Sequence, residues 1–179
     1  DNLGITNQDP IISNKTAEEK EKDMIDIARY IYGIENNDLL NNMIAIHRLE
    51  TGNGTSSYAT KLNNFGGNMN ANPSQEQIDR FVRIIQPENL DIESNPIPNI
   101  YKTAEIGEES MVRNFLNVYS KCLHDEECIG KNNIADFLSK KYCTHTPEEW
   151  KNAVNKILNE GNVQETVEAY IDNNNNKIL

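Results

Sequence analysis

Three observations on this 179-residue chain predict an all-α fold. Apolar residues recur at three- and four-residue spacing in six or seven separate stretches, most of these stretches open behind a Thr, Ser or Asn cap, and the turn-rich segments between them leave little room for a sheet. Apolar residues make up 37% and charged residues 25% of the chain, a composition that can bury a core in one domain without metals or disulfides.

Residues 1–16 have no sustained period and read as a lead-in or linker; the helical domain is assigned to 17–172, and 173–179, with four consecutive asparagines, to a linker or tail. The first helix, from 17 to about 33, carries Met24, Ile27, Ala28, Ile31 and Ile34 on one face behind an acidic start. Asn36 or Asn37 caps a second helix with a buried stripe of Leu39/Leu40, Met43, Ile46/His47 and Glu50, and Gly52 and Gly54 stop it. Ser56 or Ser57 starts a short helix through Leu62. A glycine and asparagine loop spans 63–74, the stretch 77–87 fits a strand or a single helical segment, and 88–100, with Pro96 and Pro98, reads as irregular. Thr103 caps a helix whose apolar face is Val112, Phe115, Leu116 and Tyr119, and an acidic loop covers 124–130. Another helix runs from Asn132 or Asn133 to Tyr142. Thr146-Pro147-Glu148-Glu149 then reads as a strong cap for a helix that turns Trp150, Val154, Ile157 and Leu158 inward, and 162–171 is the last periodic segment.

A net charge of −11, with no basic run longer than Lys140-Lys141, argues against nucleic-acid binding, because a phosphate backbone would be repelled. No stretch approaches the roughly 18 apolar residues of a membrane span. The start at Asp1-Asn2-Leu3 is that expected of a processed or excised module. Asparagine fills 28 positions, which fits codon bias in an AT-rich genome. Cys122, Cys128 and Cys143 allow one disulfide and one thiol in an oxidising compartment, with three pairings open. Cys122-x-His124 and Cys143-x-His145 match no established zinc spacing, so no metal and no cofactor are expected.

Glu50 is the position with chemical character. It shares a helix face with His47, Met43 and Leu39, so its carboxyl is expected in a partly apolar setting at the negative end of its own helix. Both effects disfavour the anion and raise the pKa, as a general acid acting on a glycosidic oxygen requires. The glycines behind it let backbone approach a bound chain.

Residues 46–57, Ile-His-Arg-Leu-Glu-Thr-Gly-Asn-Gly-Thr-Ser-Ser, followed by Asn63-Asn64-Phe65-Gly66-Gly67, resemble the active-site segment of bacterial endo-beta-N-acetylglucosaminidases. These are the autolysin and phage-lysin glucosaminidase domains of the lysozyme-like superfamily. Their pattern is a helix ending in Glu-Thr-Gly-x-Gly-x-Ser, a short helix, then Asn-x-Phe-Gly. Weaker similarity continues at residues 101–107 and 141–157, so the likeness covers about 36–160.

The resemblance implies a bilobed helical fold with a substrate groove, Glu50 as catalytic acid, and the glycan strands of bacterial peptidoglycan as substrate. It leaves the bond open among glucosaminidase, muramidase and lytic transglycosylase, with a non-catalytic wall-binding module as the alternative. A second carboxylate would stand about 5 Å or about 6.5–9.5 Å from the acid; Glu88, Asp91 and Glu93 lie in the corresponding stretch, and Glu88 is chosen by spacing alone. Without one, the substrate's acetamido group or an intramolecular hydroxyl would attack the anomeric carbon. Phe65 and Tyr101 are expected to meet sugar faces, Ser56 to orient the Glu50 carboxyl, and Asn64 to bind substrate from the same loop. The implied location is extracellular or wall-associated, in an autolysin, a virion or a conjugation apparatus, with a peptidase or wall-binding module as a possible neighbour in a longer chain.

Overall fold

In the computed structural model, which describes residues 8–87, 96–143 and 145–178 with side chains through 172, helix α1 (Ala17–Asp26) opens at a capping box. The Thr16 hydroxyl accepts from the Glu19 N–H, and the Glu19 carboxylate accepts from the Thr16 N–H, so two otherwise orphaned donors are satisfied. One π-helical turn, Ile27–Ile31, continues it.

Helix α2 (Asn37–Thr51) starts where the Asn36 side chain accepts from the Leu39 N–H, and stops at Gly52, which takes the left-handed conformation. The sequence predicts one buried stripe on this helix. Instead every residue from 39 to 47 is buried, because α2 runs through the middle of the molecule, with α5, α7, α8 and α9 packed round it.

Short helix α3 (Ser57–Lys61) leads into a loop and then strand β1 (Met69–Asn70), which pairs antiparallel with β2 (Ile97–Pro98), Met69 opposite Pro98. Helix α4 (Gln75–Ile85) settles the ambiguous stretch as helix: Ser74 and Gln77 form a second capping box, and Ile78 and Phe81 are buried one turn apart. Helices α5 (Ala104–Leu123), α6 (Glu126–Ile129), α7 (Ile134–Tyr142), α8 (Pro147–Glu160) and α9 (Val163–Ile178) complete the chain. Among the described residues the fold is therefore mainly helical, with one two-residue strand pair.

Some boundaries differ from those read in the sequence. The acidic 124–130 loop contains α6, and α9 continues through the asparagine run that reads as a tail. Thr146 precedes α8 without capping it; its hydroxyl meets the Cys143 thiol instead. Within the lead-in, Asp9 pairs with Arg80 and Arg83, and Ile11 donates its N–H to Lys102 O, which ties this segment to the domain.

Two apolar clusters form. The larger joins α1, α2 and α5–α9 around Met24, Leu40, Met43, Ile44, Phe115 and Leu138; the smaller gathers Leu62, Ile78, Phe81, Ile97 and Ile100. Gly107 lets α5 approach the loop that connects them: a Cβ there would lie 1.8 Å from Asn63 O. We predict that Gly107→Ala destabilises the domain by about 1–3 kcal/mol, checked by urea unfolding; an unchanged midpoint would mean that the helix can back away freely.

Buried Glu108, next on α5, is pushed up to about 9 by burial and by its hydrogen bond with Asp23, so it sits protonated at neutral pH while Lys15 neutralises Asp23 at 2.5 Å. A group with a raised folded pKa contributes stability that is full below its ordinary value near 4.5 and is lost as pH rises through about 9. Glu108→Gln should flatten that alkaline decline, as read by thermal unfolding from pH 4 to pH 9.

Candidate active site

Glu50 occupies the last turn of α2, where the helix emerges from the enclosed stretch. The segment behind it turns sharply because buried Thr51 donates its hydroxyl to His47 O and accepts the Gly54 N–H at 2.9 Å. Gly54 has φ +80°, and a Cβ on it would press on Ala17 at 3.0 Å. The glycines after Glu50 thus serve the turn and its packing on α1.

The chain then returns over the carboxyl. The ring of His47, fully buried, contacts Phe65 O through Nδ1 at 2.7 Å. Burial holds the imidazole pKa below its ordinary value, so the neutral ring carries its proton on Nδ1 and donates it to that carbonyl. Asn64 completes the clip: its amide donates to Asn68 O at 2.8 Å and to Asn99 O at 3.1 Å, and its oxygen accepts from the Asn68 N–H at 3.1 Å. Gly67, at φ +68°, is thereby laid against the acid, where a Cβ would come within 3.1 Å of Glu50 Oε2.

From the other side α8 supplies Trp150, whose Nε1–H donates to Glu50 Oε1 at 3.2 Å. Tyr142, at the end of α7, stacks on the indole with ring centroids 5.3 Å apart, and its hydroxyl is buried with no hydrogen-bond partner among the described residues. Burial raises the Glu50 pKa, and the single indole N–H offsets this only in part. Burial, and then the neighbouring Glu50 charge, also raise the Tyr142 hydroxyl.

These groups open onto a cavity of about 390 Å³, within the usual range for small-molecule sites. Glu50, Gly66, Gly67 and Tyr142 line it. A stripe on α5, Ser110, Arg113, Asn114 and Asn117, also lines it, with Asn68, Met69, Asn99 and Tyr101. Arg113 is held by the Tyr32 hydroxyl and the Glu109 carboxylate. Among the described lining residues Glu50 is the only carboxyl group and Arg113 the only cation. A larger cavity of about 610 Å³ lies on another side of α2, but its central charges are already satisfied: Arg48 meets both Glu21 oxygens and donates to Gly161 O.

The expected site residues fare differently. Glu50 lines the cavity. Tyr101 also reaches it, but only 3% of its surface is exposed, and its hydroxyl accepts from Asn99 at 3.0 Å and Asn68 at 3.5 Å, so it braces the wall more than it offers a stacking face. Phe65 must be corrected: at 1% exposure it is packed edge-on to His47 in the core and does not line the cavity. Asn64, wholly buried, spends its amide on the loop clip and not on a ligand. Ser56 caps α3 by accepting from the Ala59 N–H and makes no contact with Glu50. Glu88, with Asp91 and Glu93, lies outside the described residues.

Sequence reasoning missed the α5 stripe, although its polar residues at positions 110, 113, 114 and 117 follow helical spacing. It also read Trp150 as core only, because nothing local reveals that an indole N–H ends beside a carboxyl one hundred positions away.

The chain matches no protein-family model, no curated protein and no solved structure.

A carboxyl with a raised folded pKa costs stability once it ionises: its favourable neutral form prevails below the ordinary value near 4.5 and is lost as pH rises through the raised value. Glu50→Gln keeps the oxygen that accepts from Trp150 and removes the charge. The variant should melt above the wild type at pH 7 and close to it at pH 4; an equal gap at both values would contradict a desolvated acid.

Proposed function

We propose that the chain is a peptidoglycan glycan-strand hydrolase domain in which Glu50 is the general acid, acting outside a bacterial membrane on β-1,4 bonds of the wall. The observation that carries this reading is the environment of Glu50: a partly desolvated carboxyl, biased toward its protonated form, on the wall of a cavity that is also lined by amide and hydroxyl groups. Sugars carrying acetamido and hydroxyl substituents suit such a wall, and the segment 46–67 resembles the glucosaminidase active-site pattern. In this reading the two apolar clusters are the cores of two lobes of a lysozyme-like fold, and the cavity is part of the groove between them.

Glu50 donates its proton to the glycosidic oxygen as the bond to the anomeric carbon breaks. The Trp150 N–H, by donating to the carboxyl, holds it in place and stabilises the anion left after proton transfer. The attacking group is then either a second carboxylate, for which Glu88, Asp91 and Glu93 lie outside the described residues, or the substrate itself. In the second case its acetamido oxygen attacks the anomeric carbon, or an intramolecular hydroxyl does and leaves an anhydro sugar. Muramidase and lytic transglycosylase chemistry use the same acid over the same kind of bond, and the product's end group distinguishes them.

Incubation of the protein with purified peptidoglycan, followed by mass spectrometry of the soluble fraction, should show muropeptides. Glu50→Gln should lower the rate by at least about 100-fold, and the wild-type rate should fall as pH rises through the Glu50 pKa. Trp150→Phe removes the N–H that favours the anion, so the alkaline limb should move to higher pH. A folded wild-type protein that binds sacculi and releases nothing would replace the hydrolase reading with a wall-binding module.

A further inference from the structure

Three pairings of Cys122, Cys128 and Cys143 are open on sequence grounds, and the tertiary structure separates them. Cys122 lies in the last turn of α5 and Cys128 in α6. Between them the chain doubles back through two backbone hydrogen bonds, Asp125 N–H to Cys122 O at 3.1 Å and Cys128 N–H to Asp125 O at 2.9 Å. The Asp125 carboxylate, paired with Lys141 of α7 at 3.1 Å, fixes this turn against the neighbouring helix. The two sulfurs consequently meet 2.6 Å apart, well inside the contact distance of unbonded sulfur atoms, and both residues are buried at 1% and 2% exposure. Cys143 sits apart, beyond the end of α7, with its sulfur 3.1 Å from the Thr146 hydroxyl.

We propose that Cys122 and Cys128 form an intramolecular disulfide that staples α6 to the end of α5, and that Cys143 remains the free thiol. Only a small displacement separates the present contact from a bond of about 2.05 Å. The bond forms by exchange with an external disulfide: both cysteines lose their thiol protons, the protein S–S bond forms, the oxidant's S–S bond breaks, and its two halves leave as thiols. Burial pushes the Cys122 thiol up to about 12 and keeps attacking thiolate scarce in the folded protein, so the exchange belongs to folding, before the corner closes. The inference does not depend on the hydrolase reading, since neither sulfur lines the Glu50 cavity.

The full chain, refolded from denaturant in a buffer of oxidised and reduced glutathione, should contain one titratable thiol when denatured again. Its mass should be about 2 Da below that of the reduced chain, and unreduced peptide mapping should join Cys122 to Cys128. Cys143→Ser should leave the cross-link intact, while Cys128→Ser should abolish it. Reduction should lower Tm by roughly 5 °C in the wild type and not at all in Cys128→Ser. Three free thiols after oxidative refolding, or a bridge that contains Cys143, would overturn the proposal. If refolding fails, thiol counting and unreduced peptide mapping on protein expressed into an oxidising compartment, where the bridge can form during folding, decide the same point by the same criterion.

Discussion

Enclosure of α2 on every side is the constraint from which the rest follows. Nine consecutive residues, 39–47, are buried, so this helix has no solvent face along that stretch and its axis is fixed by the helices packed around it. A helix held in this way does not rotate to relieve an unfavourable group at its end. Glu50 is therefore left where the enclosure opens, half desolvated, with its carboxyl directed by the axis of α2 and not by its own preference for water. Arg48, two positions earlier, finds both oxygens of Glu21 and the Gly161 carbonyl, which anchors the end of α2 to α1 and to the end of α8.

Fixing the helix end fixes the loop above it. Neutral His47 donates to Phe65 O, buried Asn63 donates to Tyr101 O, and Asn64 bridges Asn68 and Asn99. These are side-chain to backbone bonds made within the fold: Phe65 O, Tyr101 O and Asn99 O each take a side-chain donor, and Asn68 O takes the Asn64 amide beside the Asn99 N–H. Together they lay Gly67 on the carboxyl, beside a cavity that Glu50 and the α5 stripe both line. The residues that hold this geometry, His47, Asn63, Asn64, Phe65 and Gly107, work behind the wall. This explains why Phe65 and Asn64, though part of the same segment as Glu50, shape the site without lining it.

The sequence by itself determined most of the helices, because caps and periodicity are local, although it left 77–87 open between strand and helix and read Thr146 as a cap that it does not form. Asn36, Ser56, Thr103 and Asn133 all cap where their side-chain chemistry places them, and Gly52 ends α2 as a left-handed cap. It also singled out Glu50, since a carboxyl in line with apolar positions at a helix end shows as a break in pattern. The strand pair and α6 were not legible: two-residue strands carry no period, and a four-residue helix is set by its neighbours more than by its own propensity.

Which groups surround Glu50 was decided by tertiary structure alone. Trp150, Tyr142 and the stripe on α5 reach it from elements 50–100 positions distant, and a residue's outward chemistry depends on which element packs beside it. The same holds for the raised pKa. The sequence supplies a carboxyl beside apolar neighbours, but the size of the desolvation and the partial relief from one indole N–H depend on packing across the whole fold. The choice among three cysteine pairings has the same character: only the turn between α5 and α6 brings two of the sulfurs together.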